Sequence, residues 1–348
     1  MTMLAPDHIV ETCDVTALGD ADRTLLARLH QALSKERIPE DPPTPLDIIE
    51  QRLRHRPTVV EEQDWIVRVG GEIVASASLA RYPRESNPHW RETTIEVHPE
   101  HRRCGIANGL IRHILDASGD DAEIVYAYDT NDRIPAAGAF AGKLGGKPAL
   151  HTRTSSTTLA AIDRALVREW SATDPAGYRL VWIDDDVPDE LVPNVIVAYD
   201  TMNTAPRGDL SFGDWRTTAE EIRDWERIRM ANARVSRLLL AIHSVTGETA
   251  GFTQVERHPR LPWVVHQHGT AVVPAHRGHG IGKWIKAAMI ERILREWPDA
   301  RFIRTGNAWE NAPMLSINDR LGFTVSWSKM VWQIGRAELT TYAEARGL

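Results

Sequence analysis

His266 and His268 stand two residues apart in a β-forming run that ends at Pro274, so a regular strand puts both side chains on one face. Histidine ordinarily titrates near neutral pH, which suits proton transfer to or from a reacting amine. Half-exposed strands also carry histidines with no such work, and of the two His268, beside Gly269, is the better placed. The segment Arg277-Gly-His-Gly-Ile-Gly282 follows at once, and after it apolar residues recur at helical spacing: Trp284, Ile285, Ala288, Met289 and Ile293. A turn with so little side chain lets a ligand reach the backbone, and the first N–H groups of the helix behind it have no partner of their own. Such a turn attracts an anion such as a phosphate, although glycines between a strand and a helix also serve as a plain tight connection.

A second copy decides between these readings. Thr94-Ile-Glu-Val-His-Pro-Glu-His-Arg-Arg-Cys-Gly-Ile-Ala-Asn-Gly-Leu110 again runs from strand through proline and glycine turn into helix. Pro99 and Pro274, Arg102 and Arg277, and Gly105 and Gly280 are all 175 residues apart, so the chain is a duplicated unit. Glu92 and Glu96 are the carboxylates on the motif strand of the first copy.

The elements that must hold these turns repeat as well. In the first unit they are a strand at 8–15, a helix at 20–35 with Asp20 as its N-cap, and a short helix through Ile48, Ile49 and Leu53. A hairpin about Gly70-Gly71, the motif strand and helix, a strand at 123–128, a helix through Ala137 and Leu144, and a strand into Thr158 complete it. After a helical bridge the same order returns: a strand at 178–183, helices at 189–202 and 217–233, a hairpin about Thr246-Gly247, and the motif strand and helix. A strand at 302–305, a helix at 311–321, a strand at 323–332 and a helical tail close the chain. The fold class is thus α+β, with two tandem domains at 1–158 and 173–348 joined by a bridge at 159–172. Each domain is a mixed, mostly antiparallel sheet with one parallel βαβ step carrying the glycine turn.

Composition bounds the function classes. The 348 residues are 42% hydrophobic and 26% charged, as a soluble globular chain requires. Residues 1–7 lack the basic start and apolar core of a signal peptide and no long apolar run follows, so a cytoplasmic protein without a membrane partner is expected. Cys13 and Cys104 are too few for a disulfide framework and have no metal-ligand spacing, so no metal is expected. The formal charge of −7, with no basic block, argues against a nucleic-acid partner and suits a cationic small molecule.

Arg102-Arg-Cys-Gly105-Ile-Ala107 and Arg277-Gly-His-Gly280-Ile-Gly282, each after a strand and proline, resemble the acyl-CoA signature of the GNAT acyltransferase superfamily. Asn311-Ala-Pro-Met-Leu-Ser-Ile-Asn-Asp-Arg-Leu-Gly-Phe323 is similar to that family's last helix. The tandem layout resembles mycothiol synthase and related two-domain acyltransferases. The resemblance implies acetyl-CoA as co-substrate, with its pyrophosphate on the turn residues Arg102, Arg103, Gly105, Ile106, Ala107 and Asn108 in one copy. In the other copy the turn residues are Arg277, Gly278, His279, Gly280, Ile281, Gly282 and Lys283. It places the pantetheine arm along Val97-His98 and Val272-Val273, and adds Asn307 and Asn311 as cofactor contacts.

The resemblance also implies direct attack of a primary amine on the thioester in a ternary complex. Family members often use a tyrosine four residues before the glycine of Leu-Gly-Phe as acid; here Asn318 and Ala141 stand there. The residues left for chemistry are His268, Glu96 and Asn318. Ile134 replaces Asn311 in the first copy and Gly146 replaces Phe323, so the C-terminal domain is expected to be the catalyst and the N-terminal domain weak or structural. A small-molecule N-acetyltransferase, monomeric or homodimeric, is the expected function. A CoA-binding module without turnover and a protein acetyltransferase are the alternatives. Arg207 to Trp215, with Asp209 and Asp214, is either an acceptor loop or a capped surface loop, and Trp263, at the start of the motif strand, is a possible wall.

Overall fold

A computed structural model describes residues 8–348; residues 1–7, read above for a leader, lie outside it. In the first repeat the elements are β1 (Ile9–Cys13), α1 (Asp20–Arg37), α2 (Leu46–Leu53), β2 (Glu61–Val69), β3 (Glu72–Arg81) and β4 (Trp90–Val97). They continue with α3 (Ile106–Ala117), β5 (Val125–Asn131), α4 (Pro135–Lys143) and β6 (Lys147–Thr158). After α5 (Arg164–Ala172) the second repeat has β7 (Tyr178–Asp184), α6 (Val192–Asp200), α7 (Ala219–Ala231), β8 (Val235–His243) and β9 (Thr249–Arg257). It continues with β10 (Val264–Val272), α8 (Ile281–Glu296), β11 (Phe302–Ala308), α9 (Ala312–Arg320), β12 (Thr324–Gly335) and α10 (Arg336–Glu344). Among the described residues no helix is long and apolar enough to cross a membrane.

The chain divides into two compact units, and they interleave. One runs to Leu150 and takes in Gly208–Gly213 and Lys329–Leu348; the other holds His151–Arg207 and Asp214–Ser328. In the first unit the sheet order is β1-β2-β3-β4-β5, antiparallel except for the parallel pair β4 and β5, and Lys329–Gly335 of β12 lie antiparallel on β5. In the second unit β7-β8-β9-β10-β11 repeats this plan with β10 and β11 parallel, and Thr152–Thr158 of β6 lie antiparallel on β11. The mixed, mostly antiparallel sheets with one parallel step match the sequence-based expectation. The sixth strand does not follow the linear division at 158 and 173, because β6 and β12 each serve the sheet begun by the other repeat. Alternation identifies a strand but carries no label for its neighbour.

Local choices match the sequence pattern with small shifts. Gly19, not Asp20, is the N-cap of α1, and Asp20 becomes its first residue, where a carboxylate still favours the helix dipole. In the second unit α8 packs on the sheet and along α5, with Ile281, Trp284, Ile285, Ala287, Ala288, Met289, Ile290 and Ile293 all buried. It is apolar around most of its circumference, as a central helix must be.

Candidate active site

In the second unit β10 and β11 run side by side only from Val264 and Phe302 to Gln267 and Thr305. β10 continues to Val272 with no β11 partner, so the two strands part after Gln267 and leave an opening. On the other edge a bulge interrupts the β9 ladder between Gln267 and Thr270. The buried Gln267 amide fills that gap by donating to Thr253 Oγ1 at 3.0 Å and to the Gln254 carbonyl at 2.7 Å. A bulge bends its strand and re-aims the next side chain, here His268. Gly269 is required beside it: a Cβ there would lie 2.7 Å from Phe252 Cζ and 3.4 Å from Met202 Sδ.

His268 is 42% exposed at its side chain, and its Nε2 lies 3.4 Å from Glu256 Oε2 on β9. Glu256 is also 3.4 Å from Arg234 Nη1. Burial would raise the Glu256 pKa, but the His268 hydrogen bond and charge, with Arg234, outweigh it and hold the carboxyl below its ordinary value. A fixed carboxylate behind an imidazole orients the ring and stabilises its protonated form, the arrangement general-base histidines use. The Tyr199 phenol donates to Gln254 Oε1 at 3.1 Å on the same stretch of β9, and burial, then the Glu256 charge, raises its pKa. Glu256 and Tyr199 escaped the sequence reading; Phe252, Gln254 and Glu256 do alternate on one face of β9, but their register against β10 is not written in the sequence.

At the end of β10 the turn closes as expected. Gly278 and Gly280 take φ of 84° and 79°, and Gly280 caps α8 without any side-chain bond. The backbone N–H groups at the start of α8 therefore face outward, uncapped, with the helix dipole behind them. Lys283 folds back over Gly280 and Ile317 lies over Gly282. Arg277 donates from Nε to the Val272 carbonyl at 3.1 Å and from Nη2 to Thr204 Oγ1 at 2.7 Å, so its side chain fastens the turn to the strand. His279 is exposed, its Nδ1 3.2 Å from the His276 carbonyl oxygen. Asn311 caps α9, accepting from the Met314 N–H at 3.4 Å. Asn318 is wholly buried and donates to Asn307 Oδ1 at 2.8 Å.

The first unit has the same outline with a poorer turn. Parallel pairing of β4 and β5 stops at Glu92 and Ala127, Gly105 caps α3 at φ 86°, and Arg102 binds the Val97 carbonyl and grips Glu36 with both terminal nitrogens at 2.7 and 2.5 Å. Arg103 is forced to φ 66° where the second unit has Gly278, a position costing a residue with a Cβ about 1 kcal/mol. His98 caps the short turn after β4 by accepting from the Glu100 N–H. Glu96 is held by Arg37 at 2.9 Å and by His30 at 3.5 Å, and Glu92 accepts from the Tyr82 hydroxyl at 2.5 Å. Ile134 caps α4 with no side-chain bond, and Asn131 spends its side chain on the Arg133 N–H, so nothing replaces the Asn311 cap. Gly146 stands where Phe323 does because the Tyr128 hydroxyl occupies the space of a Cβ.

Gly208–Gly213 is part of the first unit, where Phe212 meets the Trp90 ring edge-on at 5.2 Å and Gly213 N–H donates to Asn87 Oδ1 at 2.6 Å. Asp214 is paired with Arg207 at 2.6 Å. Trp263 uses its carbonyl to receive the N–H groups of Arg301 and Phe302, which joins the start of β10 to that of β11.

The sequence model of the Acetyltransferase (GNAT) family matches residues 26–145 and 201–323, and the chain belongs to that family, in tandem. Mycothiol acetyltransferase of Pseudarthrobacter chlorophenolicus is 26% identical over 234 residues, a match that spans 66% of this chain and 66% of that relative, just under two thirds of its length. Among solved structures, a tandem GNAT protein from the clavulanic acid biosynthesis pathway superposes with a TM-score of 0.75 at 24% identity, over 95% of this chain and 99% of that one. A GCN5-related N-acetyltransferase from Sphaerobacter thermophilus gives 0.65 at 15% identity, over 95% and 97%.

Proposed function

We propose that the second unit transfers an acetyl group from acetyl-CoA to the primary amine of a small molecule bound on the face that His268 shares with Glu256. The observation that carries this reading is the Glu256–His268 pair at the bulge, beside the strand opening and within the strand that leads to the uncapped glycine turn. Backbone N–H groups from Gly278 to Lys283 would hold the pyrophosphate, and the unpaired edge of β10 through Val272-Val273 would receive the pantetheine amides. The amine nitrogen attacks the thioester carbon, and His268 takes its proton on the ring nitrogen turned away from Glu256. The carbon–sulfur bond then breaks, and the proton passes to the departing thiolate, giving an amide and free CoA. Glu256, kept ionised by its partners, stabilises the imidazolium in between. The relative named above is by its name an acetyltransferase, which agrees with acetyl transfer.

In this reading the first unit keeps its glycine turn for structure or weak CoA binding, since Arg103 strains the turn and both Glu92 and Glu96 are already partnered. A second reading, a CoA-binding module without turnover, is favoured by Asn318 standing where the family tyrosine would be. Thiol release from acetyl-CoA with a panel of small amines and lysine peptides separates them. Release with a small amine supports the enzyme, release with peptides alone redirects it to protein acetylation, and tight CoA binding with no release from any acceptor leaves the binding module.

A further inference from the structure

Helix α8 carries a lysine on the side it buries. Lys286 is 1% exposed, and the groups facing its Nζ are Asn318 Oδ1, which accepts its hydrogen bond, Met314 Sδ at 3.9 Å and the Phe323 ring at 5.0 Å. No carboxylate is among them, and burial pushes its pKa down to about 7. From Asn318 the chain continues, because Nδ2 donates to Asn307 Oδ1 at 2.8 Å. Three side chains thus link the middle of α8 through α9 to the end of β11, two residues beyond the last β10 partner, Thr305.

The first repeat shows that the fold does not need this link. Lys286 stands six residues after Gly280, and six after Gly105 stands Ile111; Asn318 stands four before Gly322, and four before Gly145 stands Ala141. Ile111 and Ala141 are both buried, at 2% and 1%. The same packing position is therefore filled by an apolar pair in one unit and by a lysine–asparagine pair in the other. Burying a lysine without a carboxylate costs stability that an apolar pair would not, so folding alone gives no reason for the polar pair.

We propose that Lys286 is a positioning residue for the acyl-CoA: acting through Asn318, it fixes the Asn307 carboxamide at the mouth of the β10–β11 opening so that Nδ2 donates to a pantetheine amide carbonyl. The inference rests on the second unit being the acyl-CoA site. The orientation follows from the donor rules. A lysine ammonium can only donate, so while Lys286 is protonated Asn318 must offer it Oδ1; Asn318 then offers Nδ2, so Asn307 must accept with Oδ1. That leaves Asn307 Nδ2 as the outward group, and it has no hydrogen-bond partner among the described residues. Without Lys286 both amides are free to turn over and present a carbonyl to a carbonyl.

The test compares Lys286→Met, the apolar pair Lys286→Met with Asn318→Leu, and Asn307→Ala, measuring melting temperature, acetyl-CoA Kd by calorimetry, and KM and kcat. Lys286→Met alone removes the buried ammonium but strands the Asn318 carbonyl, so its melting temperature falls below that of the apolar pair. The apolar pair fills both positions as Ile111 and Ala141 do in the first repeat and melts at or above wild type, yet its Kd and KM for acetyl-CoA stay raised about tenfold, the worth of one well-placed hydrogen bond. Asn307→Ala raises Kd by the same factor and adds nothing to the apolar pair, as expected of residues acting in one chain. Wild-type Kd in a stable apolar pair, or in Asn307→Ala should that pair fail to fold, overturns the proposal. Absence of acetyl-CoA binding by the wild-type protein overturns the acyl-CoA reading itself, and is seen before any variant is compared.

Discussion

Lys286→Met should change not only stability but its dependence on pH. Lys286 titrates near 10.5 when unfolded and at about 7 when folded, because burial disfavours the ammonium. Between those values the unfolded chain binds more protons than the native one, so this residue makes stability rise with pH. Its penalty is complete below about pH 7 and is relieved as pH climbs toward 10.5. At about 1.36 kcal/mol per pH unit, the whole interval corresponds to about 5 kcal/mol, and the part between pH 7 and pH 9 to about 2.5 kcal/mol. Methionine has no such dependence and instead leaves Asn318 Oδ1 unbonded, a pH-independent loss of about 1–3 kcal/mol. Urea unfolding of both proteins from pH 6 to pH 9 gives the difference curve, in which every other titrating group cancels. Wild type should gain on the variant by about 2.5 kcal/mol from pH 7 to pH 9. A flat difference would mean that Lys286 keeps its ordinary protonation and is not confined as the geometry shows.

Three further outcomes follow from the second unit. His268→Ala should lower kcat about 100-fold or more, with acetyl-CoA KM little changed, and Glu256→Gln should lower it less, about 10-fold, since the imidazole remains; stopped assays of thiol release give both numbers. Gly269→Ala should destabilise by about 1–3 kcal/mol and lower activity together, because the added methyl meets the Phe252 ring, and thermal melting beside kinetics checks this. An alanine variant that melts and turns over as wild type would show that the bulge is not tightly packed.

Much of the fold was legible because its signals are local. The 175-residue repeat, the hairpins about Gly70-Gly71 and Thr246-Gly247, and the left-handed Gly105 and Gly280 all depend on residues close in sequence. The exchange of β6 and β12 was not legible, since alternation gives a strand its faces but not its neighbour. Glu256 was missed for a related reason: its meeting with His268 depends on a bulge that shifts the β9 register. Lys286 did leave a signal. It lies three, four and seven residues before Met289, Ile290 and Ile293, on their buried stripe, but a lysine in a helix is so often solvated that the spacing passes unnoticed. Arg102 and Arg277 illustrate the limit of motif reading. Each guanidinium fastens its turn to the preceding strand, through the Val97 or Val272 carbonyl.

The most direct measurement compares Gly105→Glu with Gly280→Glu, each of which puts a carboxylate at a left-handed glycine in one turn. Acetyl-CoA Kd and amine-dependent thiol release should collapse with Gly280→Glu, while Gly105→Glu keeps most of the turnover. Turnover that survives Gly280→Glu and is lost with Gly105→Glu would contradict the assignment of the second unit as the catalyst.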